Sequence, residues 1–187
     1  MRCDLVSRVL RIARFVGRKI VVKTIVITGF MGCGKSKIAR ELARRLNVAM
    51  VDLDERITQR EGRSPAKLIV EDGEPAFRAV ETRTLDDVLQ SGAAKVISLG
   101  GGAWIQEANR ALIDRYDCLS VWLDAPFDLC WARIEASEEI RPLGRTRDQA
   151  LALFEQRRPI YELADVHVRI RDERLEDLIS RIVHFIR

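Results

Sequence analysis

Eight consecutive residues, Gly29-Phe30-Met31-Gly32-Cys33-Gly34-Lys35-Ser36, limit this chain more than any others. They satisfy G-x-x-x-x-G-K-[ST] in full. They follow Thr24–Thr28 (TIVIT), a β-branched run that reads as a strand. They lead into Ile38, Leu42 and Leu46, whose spacing predicts a helix from Lys35 to about Leu46. A strand–loop–helix of this kind wraps several backbone N–H groups around one anion and adds the positive end of a helix dipole. Lys35 is then placed to reach the β- and γ-phosphates of a nucleotide, and the Ser36 hydroxyl to ligate Mg²⁺. Nucleoside triphosphate binding is the inference these residues carry.

Further along, short β-rich runs alternate with helical stretches, the pattern of an α/β fold with a parallel sheet. The other strands are read at Ala49–Asp52, Lys95–Leu99, Cys118–Leu123 and Val166–Ile170. Helices are read over Asp54–Arg60, stopping at Gly62; from a Ser64 cap with Pro65 in first position; and on from Gly73 to Gly92. More open at Pro126, over Asp148 to about Tyr161, and from about Leu175 to Phe185. Residues 136–147 are polar, contain Pro142 and Gly144, and read as a mobile loop. The expectation is a three-layer α/β/α fold with a five-stranded parallel sheet. Right-handed crossovers would gather the phosphate loop, Asp52–Asp54 and Gly100-Gly101-Gly102 at the edge where open α/β sheets bind ligands.

Charge first suggests a different function. With 32 Lys+Arg against 28 Asp+Glu, the formal charge is +4, which hints at nucleic acid. Residues 1–23, however, hold seven basic side chains and one acid, a net of +6, and the rest of the chain carries −2. We therefore read 1–23 as a basic arm (a surface arm or the product of an upstream start codon) and 24–187 as one P-loop domain. Removing 1–22 is expected to lower the pI and spare activity. The arm lacks the apolar core and cleavage site of a secretory signal, and only Ser7 supplies the hydroxyl character of a transit peptide. No run approaches a membrane span. Cys3, Cys33, Cys118 and Cys130 show no zinc spacing and read as reduced thiols of a cytoplasmic protein. Trp104, Trp122 and Trp131 lack basic neighbours in a stacking pattern and read as packing residues, as do His167 and His184. No nucleic-acid or membrane partner is expected.

A GTPase would offer N-K-x-D, which is missing, and motor or transporter ATPases are larger. A short chain with a charged late loop suggests a small-molecule kinase whose lid, about 136–147, closes to exclude water. Asp52-Leu53-Asp54 supplies two carboxylates at i, i+2, pointing the same way if strand geometry persists. One would serve Mg²⁺ and the other would orient or deprotonate an acceptor hydroxyl.

The chain resembles the shikimate kinase family over roughly residues 24–170. The resemblance rests on GFMGCGKS at 29–36, DLD at 52–54, GEPAFRAVE at 73–81 and GGGA at 100–103. Arg141-Pro142-Leu143 and RRPIY at 157–161 add to it. It implies a nucleoside-monophosphate-kinase-like P-loop fold, ATP and shikimate as substrates, Mg²⁺ as cofactor and a monomer. By resemblance, Gly32, Cys33, Gly34, Lys35, Ser36 and Lys37 surround the phosphates, and Ser36 and Asp52 serve the metal. Asp54 binds the acceptor hydroxyls and acts as base. Arg78, Gly101, Gly102 and Arg157 bind shikimate, and Glu81 holds Arg78. Arg141 swings in with the lid, and Arg133 is an adenine-stacking candidate. Catalysis would fall to Lys35, Asp54 and Arg141, and the acceptor region would span about 54–82. Pro65, Ile69, Lys37, Gly144 and Arg169 depart from the family's usual residues. A related acceptor such as gluconate or an aminated shikimate, or a non-catalytic nucleotide-binding role, are the alternatives.

Overall fold

The computed structural model describes residues 15–16, 19–20, 23–137, 146–171 and 173–186. Five strands form one parallel sheet: β1 (Ile25–Thr28), β2 (Met50–Asp52), β3 (Val96–Ser98), β4 (Leu119–Asp124) and β5 (Val166–Arg169). Their order is β2-β3-β1-β4-β5. Every residue of β1 and β3 is buried, as strands covered on both faces by helices must be. Eight helices are described: α1 (Lys35–Leu46), α2 (Leu53–Glu61), α3 (Pro65–Asp72), α4 (Glu74–Ser91), α5 (Glu107–Arg115), α6 (Phe127–Glu135), α7 (Arg147–Tyr161) and α8 (Leu175–Phe185). In the basic arm, Phe15–Val16 and Lys19–Ile20 pair antiparallel with each other.

The chain leaves β1 for β2, returns to β3 beside β1, and only then crosses to β4 on the other side. The direction of winding therefore reverses at β1, and a crevice opens at its carboxyl end. The phosphate loop follows β1 there, and the glycine run follows β3.

Local signals set most boundaries. Ser64 caps α3 by accepting from the Lys67 N–H, with Pro65 in first position. Gly62 and Gly92 end α2 and α4 in the left-handed region. A capping box of Thr146 and Gln149 starts α7. One helix, α5, and the 3₁₀ turn Ala103–Ile105 before it were not anticipated. They are held by buried Asn109, whose Nδ2 donates to the Ala103 carbonyl at 2.9 Å. No hydrophobic period marks that tie.

The core runs through the sheet and its flanking helices, with Trp104 and Trp122 inside it and Trp131 packed against it. His167 sits edge-on to Trp122 with Nε2 near the Glu162 and Ala164 carbonyls, a packing role as expected. Among the described residues no helix is long and apolar enough to cross a membrane.

Leu42, on the sheet-facing side of α1, is 0% exposed. Leu42→Ala should cost about 2–5 kcal/mol, read as a lower urea midpoint at unchanged slope.

Candidate active site

The phosphate loop lies flush on α6. A Cβ at Gly32, where φ is +77°, would sit 2.5 Å from the Cys130 carbonyl oxygen, so only glycine fits. Cys33 is buried beneath the loop. Gly34 caps α1 with no side-chain bond to its first-turn N–H groups, which leaves that end suited to an anion. Lys35 Nζ donates to the Gly29 and Phe30 carbonyls, each at 2.9 Å. Arg133 of α6 donates to the Gly32 and Cys33 carbonyls, each at 3.2 Å. Its guanidinium therefore rests on the loop. A cleft of about 400 Å³ opens here, lined by Gly32, Gly34, Lys35, Ser36, Lys37, Asp52, Asp54 and Arg133.

The two aspartates differ from the strand-like arrangement the sequence suggested. Asp52 ends β2, but Asp54 already lies in the first turn of α2. The cause is Asp52 itself: its Oδ1 accepts from the Asp54 N–H at 3.1 Å and the Glu55 N–H at 3.4 Å, capping the helix as it starts. Both residues still line the phosphate cleft. Asp52 Oδ2 is buried and has no hydrogen-bond partner among the described residues. A carboxylate oxygen left over in a cleft that Ser36 also lines supplies, with the serine hydroxyl, a hard donor set that fits Mg²⁺. No group of three or more His, Cys, Asp or Glu that could hold a metal occurs among the described residues. The fit is thus to an ion that takes its remaining ligands from phosphate and water.

A larger cleft of about 930 Å³ adjoins the first, and the two share Met31, Asp54, Glu55 and Gly101. Its wall includes Pro65, Ile69 and Phe77; its polar end holds Asp54, Arg78, Glu81, Arg157 and the glycine run. Arg78 Nη1 donates to Glu81 at 2.7 Å, and Nε and Nη2 donate to Glu74 at 3.2 and 2.9 Å. Glu81 thus holds Arg78, as expected. The glycine run presses on this cluster. A Cβ at Gly100 would lie 2.6 Å from Asp54 Oδ1, and one at Gly102 would lie 2.3 Å from Arg78 Nη2. Arg157 is only 8% exposed, donates to the Gly101 carbonyl at 3.2 Å, and forms no ion pair among the described residues.

Arg141 and residues 138–145 of the expected lid lie outside the described residues. Arg169, a departure from the family pattern, stands opposite Asp124 in the β4–β5 register, its Nε 3.8 Å from that carboxylate. The substitution supplies a cross-strand ion pair. Sequence reading missed Tyr161 and Trp104, which tie α7 to the glycine segment. Tyr161 donates to the Gly101 carbonyl at 2.6 Å, and Trp104 Nε1 to the Ile160 carbonyl at 2.8 Å. The RRPIY match contains Tyr161, but the resemblance gives a role only to Arg157.

A phosphate cradle that opens directly into a second cleft, at the winding reversal of a parallel sheet, belongs to a P-loop phosphotransferase acting on a small molecule. The shikimate kinase family model matches residues 31–187, and the chain belongs to the shikimate kinase family. A shikimate kinase of Cereibacter sphaeroides is 40% identical over 172 residues, covering 89% of this chain and 85% of that one. One of Ruegeria pomeroyi is 39% identical over 165 residues, covering 86% and 83%. A solved shikimate kinase from Acinetobacter baumannii in complex with shikimate has a TM-score of 0.82 at 28% identity, covering 89% of this chain and 93% of that one.

Burial pushes the Glu81 carboxyl up to about 7, against the pull of Arg78. The unfolded chain ionises this group near its ordinary 4.5. Between those values the folded state holds one more proton, so this group's contribution to stability falls as pH rises. The loss should total about 3 kcal/mol. Glu81→Gln should lack it, so the wild-type-minus-variant difference in unfolding free energy should decline from pH 4.5 to 7. A flat difference would show that Glu81 titrates normally.

Proposed function

We propose that the protein transfers the γ-phosphoryl group of ATP to the 3-hydroxyl of shikimate, giving shikimate 3-phosphate and ADP. Arg157 carries this reading. A buried guanidinium that forms no ion pair among the described residues, at the polar end of a cleft continuous with a phosphate loop, calls for an anionic acceptor. Arg157 and Arg78 grip the acceptor carboxylate, which planar guanidinium groups do bidentately. Gly101 and Gly102 let the ring approach the backbone. Asp54, lining both clefts, orients the hydroxyl and takes its proton as the new O–P bond forms. Gly32 to Lys37 surround the transferring phosphates, and Lys35 exchanges its loop carbonyls for phosphate oxygens. Arg133 rests on the same loop and adds positive charge beside it, and Arg141 adds more from the lid. Ser36 and Asp52 would hold Mg²⁺, which neutralises charge on the phosphate oxygens. The active unit in this proposal is the monomer, as the family resemblance implies.

ADP release coupled to shikimate should exceed background hydrolysis at least a hundredfold; intact ATP binding without that stimulation would overturn the reading. Gluconate and aminated shikimate, run alongside, should turn over more slowly. Asp54→Asn should lower kcat by a factor of about 10²–10⁴ with ATP affinity kept within twofold. Arg157→Ala should raise the KM for shikimate at least tenfold and leave the KM for ATP unchanged. An unchanged shikimate KM would place the carboxylate elsewhere.

A further inference from the structure

Tyr161 is 2% exposed, lies at the end of α7, and does not line the acceptor cleft. Its ring stacks on Trp122, with centroids 6.2 Å apart. Its hydroxyl donates to the Gly101 carbonyl at 2.6 Å, the same oxygen that accepts from Arg157 Nη1 at 3.2 Å. Both lone pairs of that carbonyl are thereby used. Arg157 also acts electrostatically on the phenol. On its other side, Gly101 rests on Met31 of the phosphate loop, where a Cβ would lie 3.4 Å from the Met31 nitrogen.

We propose that Tyr161 is a positioning residue for the acceptor: its hydroxyl fixes the Gly101 carbonyl and, through it, the Arg157 guanidinium. The inference rests on the proposed function. Three observations carry it. Among the described residues Arg157 forms no ion pair, Glu81 acts on it only through space, and its hydrogen-bond acceptor is the neutral Gly101 carbonyl. The carbonyl that orients it belongs to a glycine, a residue whose backbone is held only by its surroundings. The donor that fixes this glycine is buried, and burial pushes the phenol well above its ordinary pKa, so it remains a donor at any working pH. Because Gly101 faces Met31 where the two clefts join, the same bond also bears on the spacing between the acceptor's carboxylate grip and the phosphate donor.

Tyr161→Phe removes the hydroxyl and keeps the ring. The KM for shikimate should rise roughly fivefold, the effect of one neutral hydrogen bond, with the KM for ATP within twofold of wild type. In an Arg157→Ala background the same change should add nothing, because the group being positioned is gone. Ser120→Ala is the control. It removes the hydrogen bond of a buried hydroxyl outside both clefts, to Asp165, and should lower Tm with shikimate KM unchanged. An unaltered shikimate KM in Tyr161→Phe, equal rises in both KM values, or multiplying effects in the double variant would overturn the proposal. If Tyr161→Phe does not fold, the wild-type Tyr161 ¹³Cζ resonance carries the test. It should shift on adding shikimate and stay in place with ADP, and the reverse would overturn the assignment. A wild type with no shikimate-dependent turnover at all would overturn the proposed function, and this role with it.

Discussion

Burying a carboxylate with a guanidinium is costly even when they pair, yet Glu81 and Arg78 meet at 2.7 Å under the glycine run after β3. Asp54 lies against Gly100 of the same run. The arrangement fixes what surrounds it. A side chain at Gly100 or Gly102 would displace Asp54 or Arg78, because charged atoms already hold the space a Cβ would take. Helix α4 is committed to one register, since Glu74, Arg78 and Glu81 share a face at helical spacing. The polar end of the acceptor cleft is therefore set by electrostatic pairing, with Arg157 adding a positive charge that forms no ion pair among the described residues.

The phosphate side is organised on a different principle. Its contacts are mostly to backbone: lysine to carbonyl, arginine to carbonyl, aspartate to amide. Asp52, in the phosphate cleft, acts on the acceptor side through Asp54: one of its oxygens caps the helix that carries Asp54, while the other has no hydrogen-bond partner among the described residues. A disturbance at Asp52 is therefore felt on the acceptor side as a loosened helix start, as well as in any metal bound there.

What could be read in advance was whatever a few neighbouring residues decide. The phosphate loop, the Ser64–Pro65 helix start and the glycine stops at Gly62 and Gly92 are local chemistry and appear where the sequence puts them. Arg78 and Glu81 were legible as a pair because i, i+3 spacing on a helix makes them neighbours. The strand-like reading of Asp52 and Asp54 failed because period-two alternation holds only while the chain remains extended, and Asp52 converts its own successors to helix. Helix α5 hangs on a buried asparagine, the place of Arg169 on a partner in the next strand, and the task of Tyr161 on a carbonyl 60 positions away. These are properties of the assembled fold, which no window of sequence contains.

Lys35 holds two main-chain carbonyls of its own loop. Its ammonium is thus already drawn in and desolvated, and its side chain has already given up rotational freedom. Nucleotide arrival is then a substitution of acceptors around a fixed cation, not the capture of a wandering one. Little entropy is left to lose at this position, and the two carbonyls released must find other donors. The loop trades some nucleotide affinity for a charge that is in place before the phosphate enters.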